Sequence, residues 1–439
     1  MLVLKFGGTS VADEGAMRQV AEIVATHGGE PDGIVVVLSA TSGTTTQLLN
    51  IAQLAGSGQA FQEALDNVIA RHLHLAQTLV GSTSCIDELC NDCHNYAQAV
   101  SELGEWNGAT LDGMACFGEL LSSTILHQFL CSIGLNSHLV DARSLIATND
   151  DAQHAVVDID RTTQNCLQSL RSAASLGRIN VTQGFIARGY SGRTTTLGRG
   201  GSDYSAAIIG ACLGAREIQI YTDVSGVYTA DPRLVESAHP IAELSFSEMR
   251  DMASYGAKVL HPDTIIPAVH ASIPVRVLNT FRPADSGTLI SNSVRAEPNI
   301  RSVSLVRDIV VISGHASIAH HLLVHAVLRS RIVYTQQSVN SSMICLHGAV
   351  DDDVHHVLQH ALTGEAVEQH RACLVVVAGL STQDLPGIVP VIDALKTQKG
   401  RPYLVPLSQH CIGCIVDAEY AESAVLAIHS CITRRQDPA

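Results

Sequence analysis

Positive charge is scarce in this sequence. Twenty-seven lysines and arginines face 42 aspartates and glutamates, a net charge of −15, and nowhere do the cations gather into the basic run that follows nucleic-acid phosphates or anionic lipid. Nucleic acid and membrane are therefore not expected as partners, and any anionic ligand must be gripped locally. No apolar segment approaches the ~20 residues needed to cross a bilayer. The N-terminus runs straight into a strand-like LVLKF, without the basic-then-apolar layout of a signal peptide, so a cytoplasmic location is expected. Second halves are missing where cysteines or histidines lie close together. Cys90-x-x-Cys93-His94 and Cys411-x-x-Cys414 lack properly spaced complements, and His321 and His325, one helical turn apart, lack a third ligand. The twelve cysteines read instead as mostly reduced thiols filling apolar space, and no protein-held metal is expected.

Apolar residues are abundant, 46% of a 439-residue chain, which exceeds what one core usually serves, so two or three domains are expected. Through the first 290 residues strand-like runs alternate with helix-like ones. LVLKF (2–6), GIVVVLSA (33–40), SHLV (137–140), RINVTQGFIA (178–187), EIQIYT (217–222) and IPVRVLNT (273–280) are strands rich in β-branched residues, as in a parallel sheet covered on both faces. Helices are expected over about 12–26, across 47–105 with a break near Gly81, over 111–130 and after Gly201. The stretch from Phe281 to Pro298 reads as a linker.

Chemistry-bearing residues gather where those strands end, the place where open α/β sheets bind ligands. KFGGTS (Lys5–Ser10) sends a strand through Gly7 and Gly8 towards a helix, aiming backbone N–H groups at one spot, and Lys5 adds a mobile charge there. Ser39 and Thr45 belong to a hydroxyl-rich turn and are candidates either for ligand contact or for helix capping. Glu119 is a lone carboxylate among small and apolar neighbours, and must meet a cationic ligand group or an internal partner. The stretch VTQGFIARGYSGRTTTLGRGGSDYSAA (Val181–Ala207) is an anion cradle, in which Gly189, Gly192, Gly198, Gly200 and Gly201 allow close backbone approach. Arg199 within it has little to pack on and suits a carboxylate. Ser202 or Asp203 stands where a helix cap would lie.

The last 140 residues carry no phosphate loop. They read twice as strand, helix, strand, strand, helix: first over 302–313, 318–328, 331–335, 341–346 and 354–362, then over 373–378, 387–395, 403–406, 411–416 and 421–432. That is a tandem of βαββαβ modules.

Assembled, these motifs resemble the aspartate kinases, specifically the monofunctional, lysine-sensitive bacterial type. The resemblance covers residues 1–290: KFGGTS, VLSATSGTT (Val37–Thr45), GELLSS (Gly118–Ser123), TTTLGRGGSDYSAA (Thr194–Ala207), YTDVSGVYTADPR (Tyr221–Arg233) and GAKVLHP (Gly256–Pro262). It implies an α/β amino-acid kinase fold, a three-layer αβα sandwich with a mostly parallel sheet over 1–292, followed by two ACT-like modules over 293–439. It implies ATP-dependent phosphorylation of the L-aspartate side-chain carboxylate, with Mg²⁺ arriving on the nucleotide, in a cytoplasmic homodimer paired through the ACT region. A kinase for another amino-acid carboxylate and a non-catalytic ligand sensor are the rival readings, and retention of Lys5, Arg199 and Asp203 argues against the second.

Carried over by motif, Lys5 neutralises the transferring phosphoryl group, with Gly7, Gly8 and Thr9 on phosphate. Arg199 grips the α-carboxylate, Glu119 and Asp203 face the ammonium, and Ser39, Thr45 and Ser202 add hydrogen bonds. Thr222, Asp223, Tyr228, Arg233 and Lys258 match nucleotide-binding positions. The tail departs from the family. Where lysine-sensitive relatives carry an aspartate for the effector's amino group, this chain has Val333 or Tyr334, so weak or absent lysine inhibition is expected. The SVNSS segment (338–342) fits a module-pairing strand.

Overall fold

A computed structural model describes residues 1–171, 178–255, 260–292, 300–315, 331–337, 341–348, 367–380, 385–396 and 402–433. The chain divides into two units. One comprises Met1–Val227, Ala242–Phe246 and Val259–Val294, the other Tyr228–Ile241, Ser247–Lys258 and Arg295–Ala439. The sequence places a single boundary at 292, whereas two earlier segments, Tyr228–Ile241 and Ser247–Lys258, belong with the C-terminal unit.

The first unit is built on strands β1 (Leu2–Phe6), β2 (Ile34–Leu38), β3 (Ser137–Val140), β5 (Ile179–Gln183), β8 (Glu217–Thr222), β9 (Glu243–Ser245), β10 (Val275–Asn279) and β11 (Thr288–Ser291), in the order β3-β5-β2-β1-β8-β10-β11-β9. Every pair is parallel except β10 with β11. A small sheet of β4 (Ala147–Thr148), β6 (Ile186–Gly189) and β7 (Thr194–Thr196) stands apart. Strand β11 falls inside the segment read from sequence as a linker, where four residues gave too short a pattern to register.

Period-two alternation assigns the faces. Leu2, Leu4 and Phe6 of β1 and Ile34, Val36 and Leu38 of β2 share one core with the apolar stripes of α1 (Glu14–Thr26), α2 (Thr44–Gly56), α3 (Gln62–Val80), α4 (Asp87–Leu103) and α5 (Gly108–Ser132). Val3, Lys5, Val35 and Val37 therefore point the other way, towards α8 (Gly201–Leu213), numbered after two short helices, α6 (Ala142–Leu145) and α7 (Ile159–Cys166). Helix, sheet and helix make the expected three layers. The continuous helical stretch expected over 47–105 is broken once more than expected, at Ser57–Phe61, where Gly58 takes a φ of 68°.

The second unit holds a six-stranded antiparallel sheet of β12 (Ser302–Gly314), β13 (Ile332–Gln337), β14 (Ser342–His347), β15 (Val367–Ala378), β16 (Tyr403–Pro406) and β17 (Cys411–Val416), in the order β13-β14-β12-β15-β17-β16. Two long strands run through it. Residues 302–306 of β12 pair with 374–378 of β15, and after a bulge residues 309–314 pair with 367–372. The 309–314 half also pairs with β14, while 373–378 pairs with β17. Each module thus takes its fourth strand from an extension of the other module's first. The two modules expected in tandem are thus interlocked, since each pass along the sequence supplies only three of its four strands. Helices Leu385–Lys396 and Ala421–Thr433 pack with Val375, Val377, Cys414 and Val416 in one core. His321, His325 and residues 338–340 of the SVNSS segment lie outside the described residues.

Candidate active site

Because β1, β2, β5 and β8 are parallel and in register, with Phe6 opposite both Leu38 and Tyr221 and Leu38 opposite Gln183, their carboxyl ends finish at one level. The turns that follow share that edge: Gly7–Thr9 after β1, Ser39–Thr45 after β2, Gly184 after β5 and Asp223 after β8. The Gly7 amide donates to the Tyr221 carbonyl at 3.2 Å and the Ser39 amide to the Phe6 carbonyl at 3.1 Å, which stitches three turns together. Gly8 lies so close to the Ala40–Ser42 backbone that a Cβ would stand 3.1 Å from the Ala40 oxygen.

Lys5 belongs to the α8-facing phase of β1, and Asp203 to the first turn of α8. Their side chains meet in an ion pair of 2.6 Å, and both are largely buried. The contact has charge-pair proximity without the angle of a directed hydrogen bond, since Asp203 Oδ1 has no hydrogen-bond partner among the described residues. The cap expected from Ser202 or Asp203 is not there. Gly200, at φ 69°, is the N-cap of α8 and no side chain caps the helix. A side chain at Gly200 would also collide with Thr264, its Cβ 2.6 Å from Cγ2. The same holds at the other turn, where Gly43 at φ 79° precedes α2 and neither Ser39 nor Thr45 caps it. Two helix N-termini at this edge therefore keep backbone donors available for an anion.

GELLSS is spelled out by its contacts. Gly118 admits the Ala40 side chain, whose Cβ would lie 2.8 Å from any Cβ at 118. Glu119 Oε1 accepts from the Ala40 amide at 3.2 Å, the Ser122 hydroxyl donates to the Ser39 carbonyl at 2.8 Å, and Gln183 Nε2 donates to the Ser123 hydroxyl at 2.7 Å. The second Glu119 oxygen is buried with no partner among the described residues. Burial pushes this carboxyl up to about 8. In the unfolded chain it returns to the ordinary 4.5, so across about pH 5 to 8 the unfolded chain sheds a proton that the folded chain keeps. Stability therefore falls as pH rises through that window. Glu119→Gln should flatten the slope, as thermal midpoints at several pH values would read. An unchanged slope would place the titration elsewhere.

Arg199 is exposed, on the loop between β7 and α8, and carries no ion pair among the described residues. Ser202 is buried beneath Gly184, where a Cβ would come within 2.6 Å of its own. Thr45 is half-buried in the first turn of α2 with no hydrogen-bond partner among the described residues, and Thr9 is exposed. Thr222 donates to Asp223 at 3.0 Å. In the second unit Tyr228 bridges to Pro240, and Arg233 is exposed and paired with Asp231 at 2.7 Å. Lys258 lies outside the described residues.

Two contributors were missed in the sequence. Asp112, buried on α5, accepts from the Thr196 amide and hydroxyl and from the Gln153 amide, anchoring the strand that leads into the Arg199 loop. His72, on α3, is fully buried. Its signal was present, since it sits on the stripe of Leu65, Val68, Ile69, Leu75 and Ala76. Among the described residues no group of three histidine, cysteine or acidic side chains could hold a metal. No described helix is long and apolar enough to cross a membrane.

Residues 1–279 match the amino acid kinase family. The lysine-sensitive aspartokinase 3 of Escherichia coli is 37% identical over 322 residues, 72% of this chain and 70% of that protein. The aspartokinase of Chlamydia pneumoniae is 29% identical over 98% of this chain and 97% of its own. Among solved structures, E. coli aspartokinase III with aspartate and ADP superposes with a TM-score of 0.79 at 31% identity, covering 99% of this chain and 100% of that one. The same enzyme with lysine and aspartate gives 0.82 at 32%, covering 98% and 99%.

Proposed function

We propose, from the premise that this chain belongs to the amino acid kinase family and within it to the aspartokinases, that the carboxyl edge of its parallel sheet receives ATP and L-aspartate with Lys5 and Asp203 at their junction. The reaction is ATP-dependent phosphorylation of the aspartate side-chain carboxylate to 4-phospho-L-aspartate, the first step towards lysine, threonine and methionine. The observation that carries the site assignment is the Lys5–Asp203 contact of 2.6 Å.

An aspartate carboxylate, with an ordinary pKa of about 3.9, is already ionised at neutral pH, so the nucleophile needs no general base. Alignment and charge neutralisation remain for the protein to supply. Lys5 Nζ stabilises the charge on the transferring phosphoryl group, while Gly7, Gly8 and Thr9 present backbone and hydroxyl donors to phosphate. Arg199, without an ion pair among the described residues, takes the substrate's α-carboxylate. Asp203 takes its ammonium together with the second oxygen of Glu119, which has no partner among the described residues and whose carboxyl gives up its proton as the cation arrives. Ser39, Thr45 and Ser202 complete the hydrogen bonds. Thr222 and Asp223 serve the nucleotide, with Tyr228, Arg233 and Lys258 keeping the nucleotide role that the resemblance implies. Mg²⁺ travels with ATP. A hard cation wanting about six oxygens would draw them mainly from phosphates and water, since Asp203 is already engaged by Lys5.

Trapping with hydroxylamine tests the reaction itself: a hydroxamate should form only when ATP and L-aspartate are both present. Its absence alongside steady ADP release would overturn the assignment of acceptor. In the second unit, pairing of two chains through the ACT region is the proposed assembly, in the cytoplasm. With Val333 and Tyr334 in place of a counter-charge, lysine should inhibit weakly or not at all. A low-micromolar inhibition constant would contradict this.

A further inference from the structure

Arg71, on α3, is a half-buried cation with no carboxylate partner among the described residues. Its guanidinium reaches across to the turn between β2 and α2, donating to the Thr41 hydroxyl at 3.0 Å, to the Ser42 carbonyl at 3.3 Å and, closely, to the Thr44 hydroxyl. Its Nε is buried without a hydrogen-bond partner among the described residues. A cation spent on two hydroxyls and a carbonyl is costly to desolvate, and calls for a reason beyond surface packing.

Neighbouring His72 fixes the direction of every proton in this cluster. Its Nδ1 stands 2.7 Å from the Val68 carbonyl oxygen, which only accepts, so Nδ1 carries the proton. Burial pushes the imidazole down to about 4, so it is neutral and Nε2 is an acceptor. The Thr41 hydroxyl, 3.1 Å away, must then donate to Nε2. Its oxygen is left to accept from Thr44, whose own oxygen accepts from Arg71. Both hydroxyls are thereby consumed inward. The next residue, Thr45, keeps a hydroxyl with no partner among the described residues, on an α2 N-terminus that no side chain caps.

We propose that Arg71 is a positioning residue for the amino-acid substrate: through Thr41, Ser42 and Thr44 it locks the turn that presents Thr45 and the first amides of α2 to that substrate. This rests on the assignment of Thr45 to the aspartate site. The turn is also where Glu119 meets the Ala40 amide, and where Gly8 abuts Ser42.

The test is a double-mutant cycle in the full chain, with wild-type turnover of L-aspartate measured first, so that failure of the reaction assignment would show before any variant is made. R71M should raise KM for aspartate about tenfold with kcat and KM for ATP within about twofold. T45V should raise the same KM, and R71M/T45V should be little worse than T45V alone, because Arg71 acts through Thr45. R71K, keeping charge and donors without the planar fork, should recover part of the loss. Strictly additive KM effects, or R71M unchanged from wild type, would overturn the proposal. Should R71M fail to fold, R71K paired with T45V runs the same cycle, and additivity there would be equally fatal.

Discussion

Lys5→Met should lower kcat by about a thousandfold while the affinity for ADP changes only a few-fold. Removing one preorganised donor from a site of developing charge costs 10²–10³ in kcat in well-studied cases, and a phosphoryl group spreads charge over three oxygens with little covalent help from protein. Lys5 is held where it can act by two independent constraints. The phase of β1 points it away from the Leu2, Leu4 and Phe6 core, and Asp203 anchors its ammonium at 2.6 Å. The methionine fills similar volume, so the change removes charge more than packing. Single-turnover phosphorylation and ADP titration separate the two effects. A variant that turns over normally, or that loses nucleotide affinity in proportion to rate, would remove Lys5 from the transfer step.

The second large effect concerns Arg199. Arg199→Ala should raise KM for L-aspartate by about a hundredfold or more, with KM for ATP nearly unchanged, because a bidentate charge-assisted pair is lost and a substrate carboxylate is left unmatched. Arg199→Lys should rescue little, since an ammonium cannot reproduce the fork. Stability should hardly move, as the side chain is exposed and unpaired among the described residues. That separates it from Asp203, where substitution strands Lys5 in a largely buried position. Steady-state kinetics with each substrate varied in turn would check it, and equal increases in both KM values would contradict the assignment.

What could be read from sequence was mostly local. Parallel strands showed as β-branched runs, and the strand-end turns carried Lys5, Gly7, Gly8, Ser39, Thr45, Arg199 and Asp203 because open sheets collect chemistry there. Contacts between segments far apart in the chain did not show. Nothing in KFGGTS announces that Lys5 touches Asp203. Serine and threonine suggested helix caps that Gly43 and Gly200 in fact provide through left-handed backbone. The two modules show in the sequence but their interlocking does not, because the fourth strand of each is an extension of β12 or β15, and a strand's length says nothing about which half pairs with what. Arg71 was invisible for the same reason. His72 need not have been, since its place on the α3 apolar stripe forecast burial.

On the proposed assignment this edge reads a zwitterion by both ends, with Arg199 on the α-carboxylate and Glu119 with Asp203 on the ammonium. ADP release measured across L-aspartate, N-acetyl-L-aspartate, L-aspartate α-amide, succinate and L-glutamate tests it most directly. L-Aspartate should be the best acceptor, and each analogue that lacks the ammonium or the α-carboxylate should lose about a hundredfold or more in kcat/KM. Succinate or the α-amide reacting as well as L-aspartate would contradict it.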